Sequence, residues 1–354
     1  MGILERRNIE KDMTIHLTTF FDINYLSRGL TLIHSIKENH PDFSLHLLCL
    51  DDETYKFFNN NKEYPEIIVL KLGNIESFYP ELVQCKEDRS TIEYFFTLSP
   101  FLPLYILEKY NLSHICSLDA DMKFYSSPEP IFNYLDNYSV IITPHKFSKE
   151  NQSLTTYGKY NVSFQIFKND ESGLKCLKRW KEQCTEWCKD SLDTEGRFAD
   201  QKYLDFWQDN FPNKVLSLDD ENCGLAVWNL NNYNIEFKKN RPTANNKEII
   251  FYHFHHFKIL NKHLALNGFF LYKAKATKGN VKLYLDYWKS LKKWDLPYST
   301  RNNIRDAIYN LPTIRILEHE KSFFIFYLKN IFQIPDVRKT NNFFKKILWR
   351  ISLK

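Results

Sequence analysis

The stretch Ser113-His114-Ile115-Cys116-Ser117-Leu118-Asp119-Ala120-Asp121-Met122-Lys123-Phe124 constrains this chain more than any other. A short apolar run carries two carboxylates to its end. It reads as a buried strand that stops where the acids begin. Asp119 and Asp121 stand two apart, so on an extended backbone they project to the same side. Neighbouring carboxylates repel unless a cation separates them. Hard oxygen donors of this kind suit Mg²⁺ or Mn²⁺, commonly shared with a substrate phosphate. A lone Asp-x-Asp also arises by chance as a solvated acidic turn. The rest of the chain has to decide between the two.

The segments before the acids alternate in type. Thr14–Phe20 reads as a strand, and Tyr25–Glu38 as a helix with Leu26, Leu30, Ile33 and Ile36 at helical spacing. Ser44–Leu50 and Ile67–Leu70 read as further strands. This alternation predicts an α/β chain with a mostly parallel sheet covered on both faces. Ligands of such sheets bind at the carboxyl ends of strands. Asp22 and Asn24 follow the first strand and so share an edge with Asp119 and Asp121. Residues 90–110 are apolar and aromatic, and Pro100 and Pro103 predict a break into two helical pieces. Val140–Thr143 and Tyr157–Phe167 read as strands, Lys146–Thr156 as a loop, and Asp170–Lys189 as a helix. Phe198–Trp207 opens another helix. Ile249–His256 reads as a strand ending in histidines, with His253 and His255 on one face.

Composition narrows the function classes. Only nine glycines occur, and neither a Gly-x-Gly-x-x-Gly nor a Walker loop is present, which argues against dinucleotide enzymes and P-loop NTPases. A net charge of +5 over 354 residues does not point to nucleic acid as a partner. Seven cysteines without a Cys-x-x-Cys pair indicate neither a disulfide framework nor a zinc ribbon. The N-terminal residues lack the apolar core of a signal peptide, and no run reaches the length of a membrane span. A cytoplasmic location is the expectation. From Arg338 onward the chain holds bases and aromatics but no acids. Read as a helix, its apolar side is Phe343, Phe344, Ile347, Leu348 and Ile351, flanked by Lys345, Lys346 and Arg350. That suits an anionic membrane surface, the inner face of the cell membrane, as well as it suits packing on a core.

Several stretches together resemble the GT-A glycosyltransferases, and within them the retaining family 8 type. Asp22-Ile23-Asn24-Tyr25 resembles that family's first-strand signature. Ser90–Pro103 resembles the helix leading to its metal strand, and Ser117–Asp121 its metal motif. Asn161-Val162-Ser163 resembles its Asn-x-Gly, with Ser163 at the glycine. Asp200-Gln201 resembles its Asp-Gln element. His253-Phe254 resembles its His-Phe-x-Gly-x-x-Lys element, with His256 at the glycine and Lys258 one residue early. The resemblance spans roughly residues 14–260.

It implies a GT-A (Rossmann-like) nucleotide-diphospho-sugar transferase domain over residues 1–275, followed by a helical C-terminal region over 276–354. It further implies Mn²⁺ or Mg²⁺ held by Asp119, Asp121 and His253, with His255 the competing ligand. The donor is a UDP-sugar, contacted by Thr18, Asp22, Asn24 and Lys258. Asn161, Asp200 and Gln201 surround the transferred sugar. The implied reaction moves a hexose to a cell-surface glycan or lipid-linked acceptor, such as a lipopolysaccharide precursor, with retention. Two alternatives stay open. One is an inverting GT-A enzyme with a carboxylate base such as Asp200. The other is a glycan- or nucleotide-binding module without turnover. Each residue also has an ordinary structural role available: Asp22 and Asp200 as helix caps, Asn161 in a turn, His253 as a core histidine.

Overall fold

A computed structural model of the chain describes residues 14–261 and 264–294. The chain opens with strand β1 (Ile15–Phe21), helix α1 (Leu26–Asn39), strand β2 (Phe43–Cys49), helix α2 (Asp52–Asn59) and strand β3 (Ile67–Lys71). After a helical segment come β4 (His114–Leu118) and the short β5 (Met122–Phe124). Then follow β6 (Val140–Pro144), β7 (Tyr160–Lys168), β8 (Val215–Ser217) and β9 (Leu225–Ala226). Seven of these strands form the central sheet in the order β3-β2-β1-β4-β7-β6-β8. Strands β3, β2, β1 and β4 run parallel, and β6 runs parallel to β8. β7 runs against both neighbours. This is the α/β, Rossmann-like class expected from the alternation of elements. β2 is apolar along almost its whole length because both of its faces are covered.

Close packing of α1 on β1 depends on Gly29. A Cβ there would fall 2.2 Å from Cζ of Phe21. The carboxyl ends of β1 and β4 lie side by side, with Leu17 opposite Cys116 and Thr18 opposite Ser117. The turns that follow these strands therefore share one edge of the sheet.

Residues 91–110 form one continuous helix, Thr91–Tyr110, and not the two pieces predicted from Pro100 and Pro103. Each proline removes a backbone bond and costs roughly 3 kcal/mol in an isolated helix. Here Leu98, Phe101, Leu102, Leu104, Tyr105, Ile106 and Leu107 are all buried. At about 1.5–3 kcal/mol per buried side chain, packing outweighs the loss. Ser90 and Glu93 close a reciprocal capping box at the N-terminus. Lys149–Tyr157 winds into 3₁₀ turns where a loop was expected, closed by the amide of Asn151 on the carbonyls of Trp228 and Tyr272.

The domain boundary expected at residue 275 does not fall there. Helix Lys278–Lys292 belongs to the same compact unit as the sheet. It buries Leu283, Tyr284, Tyr287 and Trp288. Its Asp286 and Ser290 accept from Lys123 at 2.6 and 2.8 Å, tying it to β5. The basic tail from Arg338, and the charged residues 1–12, lie outside the described residues. Among the described residues no helix is long and apolar enough to cross a membrane.

Candidate metal and nucleotide site

The acids do not meet by strand alternation. β4 ends at Leu118, and Asp119–Asp121 turn the chain into β5. The turn is pinned from both sides. Asp119 N–H donates to the Ser163 carbonyl at 3.0 Å, and Phe254 N–H donates to the Asp121 carbonyl at 3.0 Å. Strand Phe251–His253 pairs antiparallel with β5, placing His253 opposite Met122. Its imidazole Nε2 then lies 3.0 Å from Asp121 Oδ1 and 3.5 Å from Asp119 Oδ2. The ligand atoms of Asp119, Asp121 and His253 all fall within 4.8 Å of one another.

The strand expected over 249–256 stops at His253. His256 takes a left-handed conformation, φ 60°, at the position where the resembling motif has glycine. His255 is turned aside, its Nε2 3.0 Å from the Tyr272 hydroxyl. Trp228 packs edge-on to both histidine rings and is itself fixed by an Nε1 bond of 2.8 Å to the His145 carbonyl. His253, not His255, is the imidazole that joins the acids.

The electrostatics of the cluster follow from burial and charge. Burial pushes the Asp119 carboxyl upward, only partly countered by His253, and Asp121 adds repulsion. Burial acts on Asp121 in the same direction. There the His253 charge and hydrogen bond, helped by His255 and Arg28, hold the carboxyl well below the usual range. For His253, burial lowers the affinity for a proton, but the two carboxylates raise it further. Its Nδ1 is buried without a partner. In this arrangement a proton on His253 does what a cation between the acids would do. Two carboxylates and one imidazole in mutual reach are a donor set that can hold a divalent metal ion.

The other expected site residues take varied places. Asp22 caps the 3₁₀ turn Ile23–Tyr25. Its two oxygens accept from the backbone N–H and side-chain amide of Asn24, at 3.1 and 3.0 Å. Asn161 is buried, and its Oδ1 accepts from both N–H and hydroxyl of Ser163, at 3.1 and 2.5 Å. It thereby fixes the residue whose carbonyl holds Asp119. Asp200 is also buried, and its Oδ2 has no partner. Burial pushes its carboxyl up to about 7; a hydrogen bond from Ser99 opposes this, and the charge of Asp119 adds to it. The Gln201 amide donates to the Tyr157 carbonyl at 3.0 Å. Lys258 is exposed on a two-stranded hairpin, and its ammonium makes no bond among the described residues.

Thr18 requires a correction. It is fully buried, and its hydroxyl donates to the His46 carbonyl at 2.9 Å, between β1 and β2. It offers nothing to a nucleotide, because its position lies within the sheet and not past its carboxyl edge.

Two residues passed over in the sequence stand beside the acids. Tyr25 is 44% exposed; burial of the rest of the side chain pushes its hydroxyl pKa up, opposed by the charge of Arg28 and helped by Asp121, Asp119 and Asp22. The guanidinium of Arg28 lies 4.5 Å from the centre of its ring.

No known family model matches the chain. YfnF of Bacillus subtilis (strain 168), an uncharacterized protein, is 30% identical over 258 residues, spanning 70% of this chain and 84% of YfnF. The chain belongs to the family of YfnF. YfnD of the same organism, also uncharacterized, is 28% identical over 285 residues, spanning 79% of this chain and 90% of YfnD. Among solved structures, glycosyltransferase GlyE of Streptococcus pneumoniae TIGR4 superposes with a TM-score of 0.46 at 13% identity, over 80% of this chain and 64% of GlyE. Mouse xyloside xylosyltransferase 1 does so with a TM-score of 0.42 at 11% identity, over 68% of this chain and 97% of that one.

Proposed function

We propose that this protein is a metal-dependent glycosyltransferase that moves a hexose from a UDP-sugar to a cell-surface glycan or lipid-linked acceptor. The observation that carries the reading is the convergence of Asp119, Asp121 and His253 at the carboxyl end of β4, beside the Asp22–Tyr25 turn at the carboxyl end of β1. Asp119, Asp121 and His253 would hold Mn²⁺ or Mg²⁺. A bound ion supplies charge neutralisation for the departing nucleoside diphosphate.

The chain's own residues divide the remaining work. Tyr25 presents an exposed ring on which a base stacks, next to the Asp22–Asn24 pair, which offers hydrogen bonds to base and ribose. Asn161 acts through Ser163 to hold Asp119 in place. Asp200, with Gln201, lies close enough to Asp119 for their charges to interact, and borders the region where a sugar on the diphosphate would sit. With no strong nucleophile required of the protein, the acceptor hydroxyl attacks on the face the diphosphate leaves, and the anomeric configuration is kept. A second reading has one observation in its favour. A buried carboxyl raised to about 7 is poised to act as a general base, which suits inversion with Asp200 as the base. A nucleotide-binding module would use the same metal-type donors, and turnover of a UDP-sugar separates it from a transferase.

Calorimetric titration of UDP with Mn²⁺ and again with EDTA tests the reading. Metal-dependent binding, lost in Asp119→Ala, is the expected result. UDP binding indifferent to EDTA would overturn the metal role, and absence of UDP binding would overturn the donor. Once turnover of a UDP-sugar is found, the anomeric configuration of the product separates retention from inversion.

A further inference from the structure

Arg28 sits in α1 among Leu26, Ser27, Gly29, Leu30, Thr31, Leu32 and Ile33, all buried as it is. No acid stands within one helical turn of it on either side. Among the described residues it makes no ion pair, and its one hydrogen bond is a 3.0 Å donation to the Phe257 carbonyl. That carbonyl belongs to the loop that follows the metal-type histidine. The charge lies under the exposed Tyr25 ring and near Asp121. A buried arginine almost always has an anion to pair with. Asp121 supplies only a distant one.

The charge balance of the site explains what such a cation is for. Two carboxylates and one divalent ion sum to zero, so a filled metal site leaves the charge of a nucleotide diphosphate uncompensated. The same ion would claim Asp121, the acid whose carboxyl the Arg28 charge helps to hold down. Lys258, expected from the sequence to meet the phosphates, is exposed and on a hairpin. Arg28 is held instead by helix packing, a backbone carbonyl and a ring. Guanidinium also matches phosphate oxygens with a planar fork of donors.

We propose that Arg28 is a diphosphate-binding residue, its guanidinium held between Tyr25 and Phe257 to receive the phosphate oxygens of the nucleotide-sugar beside the Asp119–Asp121–His253 cluster. The assignment rests on the glycosyltransferase reading above. It makes metal and diphosphate binding mutually reinforcing, because each supplies the charge that the other's ligands lack.

The test compares wild type, Arg28→Met and Arg28→Lys in two titrations: Mn²⁺ alone, followed by electron paramagnetic resonance, and UDP in saturating Mn²⁺, followed by calorimetry. Arg28→Met is expected to bind Mn²⁺ at least as tightly as wild type, because a positive charge near Asp121 is gone. Its UDP affinity falls about 10- to 100-fold, the worth of a charge-assisted hydrogen bond to a buried anion. Arg28→Lys keeps the charge without the fork and loses less. A folded Arg28→Met with unchanged UDP affinity overturns the assignment and leaves the glycosyltransferase reading standing. Parallel loss of Mn²⁺ and UDP shows that Arg28 only holds the Phe257 loop in place, and overturns it too. If Arg28→Met does not fold, Arg28→Lys decides by the same comparison, and failure of both to fold marks a purely structural residue. Wild type that binds Mn²⁺ but no UDP removes the donor reading and this inference with it.

Discussion

Replacing Asp200 by asparagine should make the metal-free protein more stable, and increasingly so as pH rises. Asp200 is 2% exposed, its Oδ2 is unpaired, and its carboxyl is raised from 3.8 to about 7. Between those values the native state keeps the proton and the unfolded chain has released it. Ionisation then favours unfolding, and stability declines with rising pH until the native carboxyl itself ionises. Each pKa unit is worth about 1.4 kcal/mol, so the full penalty above about pH 7 is on the order of 4 kcal/mol. At about pH 5 only a little over a third of it has developed. Asparagine keeps an acceptor for Ser99 and has no charge to bury. Urea denaturation of both proteins in EDTA, at about pH 5 and about pH 8.5, reads the difference. The advantage of Asp200→Asn should grow by about 2–3 kcal/mol between the two conditions. A constant offset at both pH values would mean that Asp200 is ionised in the native state throughout. The burial argument would then be wrong, along with the case for Asp200 as a base.

Two smaller tests follow from local geometry. Thr18→Val should cost about 1 kcal/mol in denaturant unfolding, through the lost bond to the His46 carbonyl, while UDP affinity stays within about 2-fold of wild type. His256→Gly should be about 1 kcal/mol more stable than His256→Ala in thermal unfolding, because φ 60° suits glycine and strains alanine; equal stabilities would refute the strain.

Much of the fold was legible because burial imposes a period on the sequence. β1, β2 and β3, and α1 between them, fall within a residue or two of their expected ends, since each alternates or repeats its apolar residues at its own spacing. The long helix Thr91–Tyr110 was legible as helix but not as one helix. Proline is a local signal, and the packing that overrides it comes from residues distant in sequence. Asp119 and Asp121 stood out because two carboxylates two residues apart follow an apolar strand. Arg28 carried a signal that went unread: a lone base in a buried helical run, with no acid one turn away. Thr18 was misplaced because no pattern along a strand tells whether a hydroxyl faces a ligand or a neighbouring carbonyl.

The local sequence determined which segments are strands and helices, which edge of the sheet collects the acids, and which donor atoms are on offer. Only the tertiary structure decided which of those donors meet. Pairing of Phe251–His253 with β5 chose His253 over His255. The turn of Phe257 onto Arg28 joined a loop to a helix more than two hundred positions earlier. Burial and neighbouring charge, which exist only once the chain is packed, raised Asp200 and lowered Asp121. Periodicity is a property of consecutive residues and can be read along the chain. A site depends on distances between residues far apart in it, and those distances are set by the packing of the whole domain.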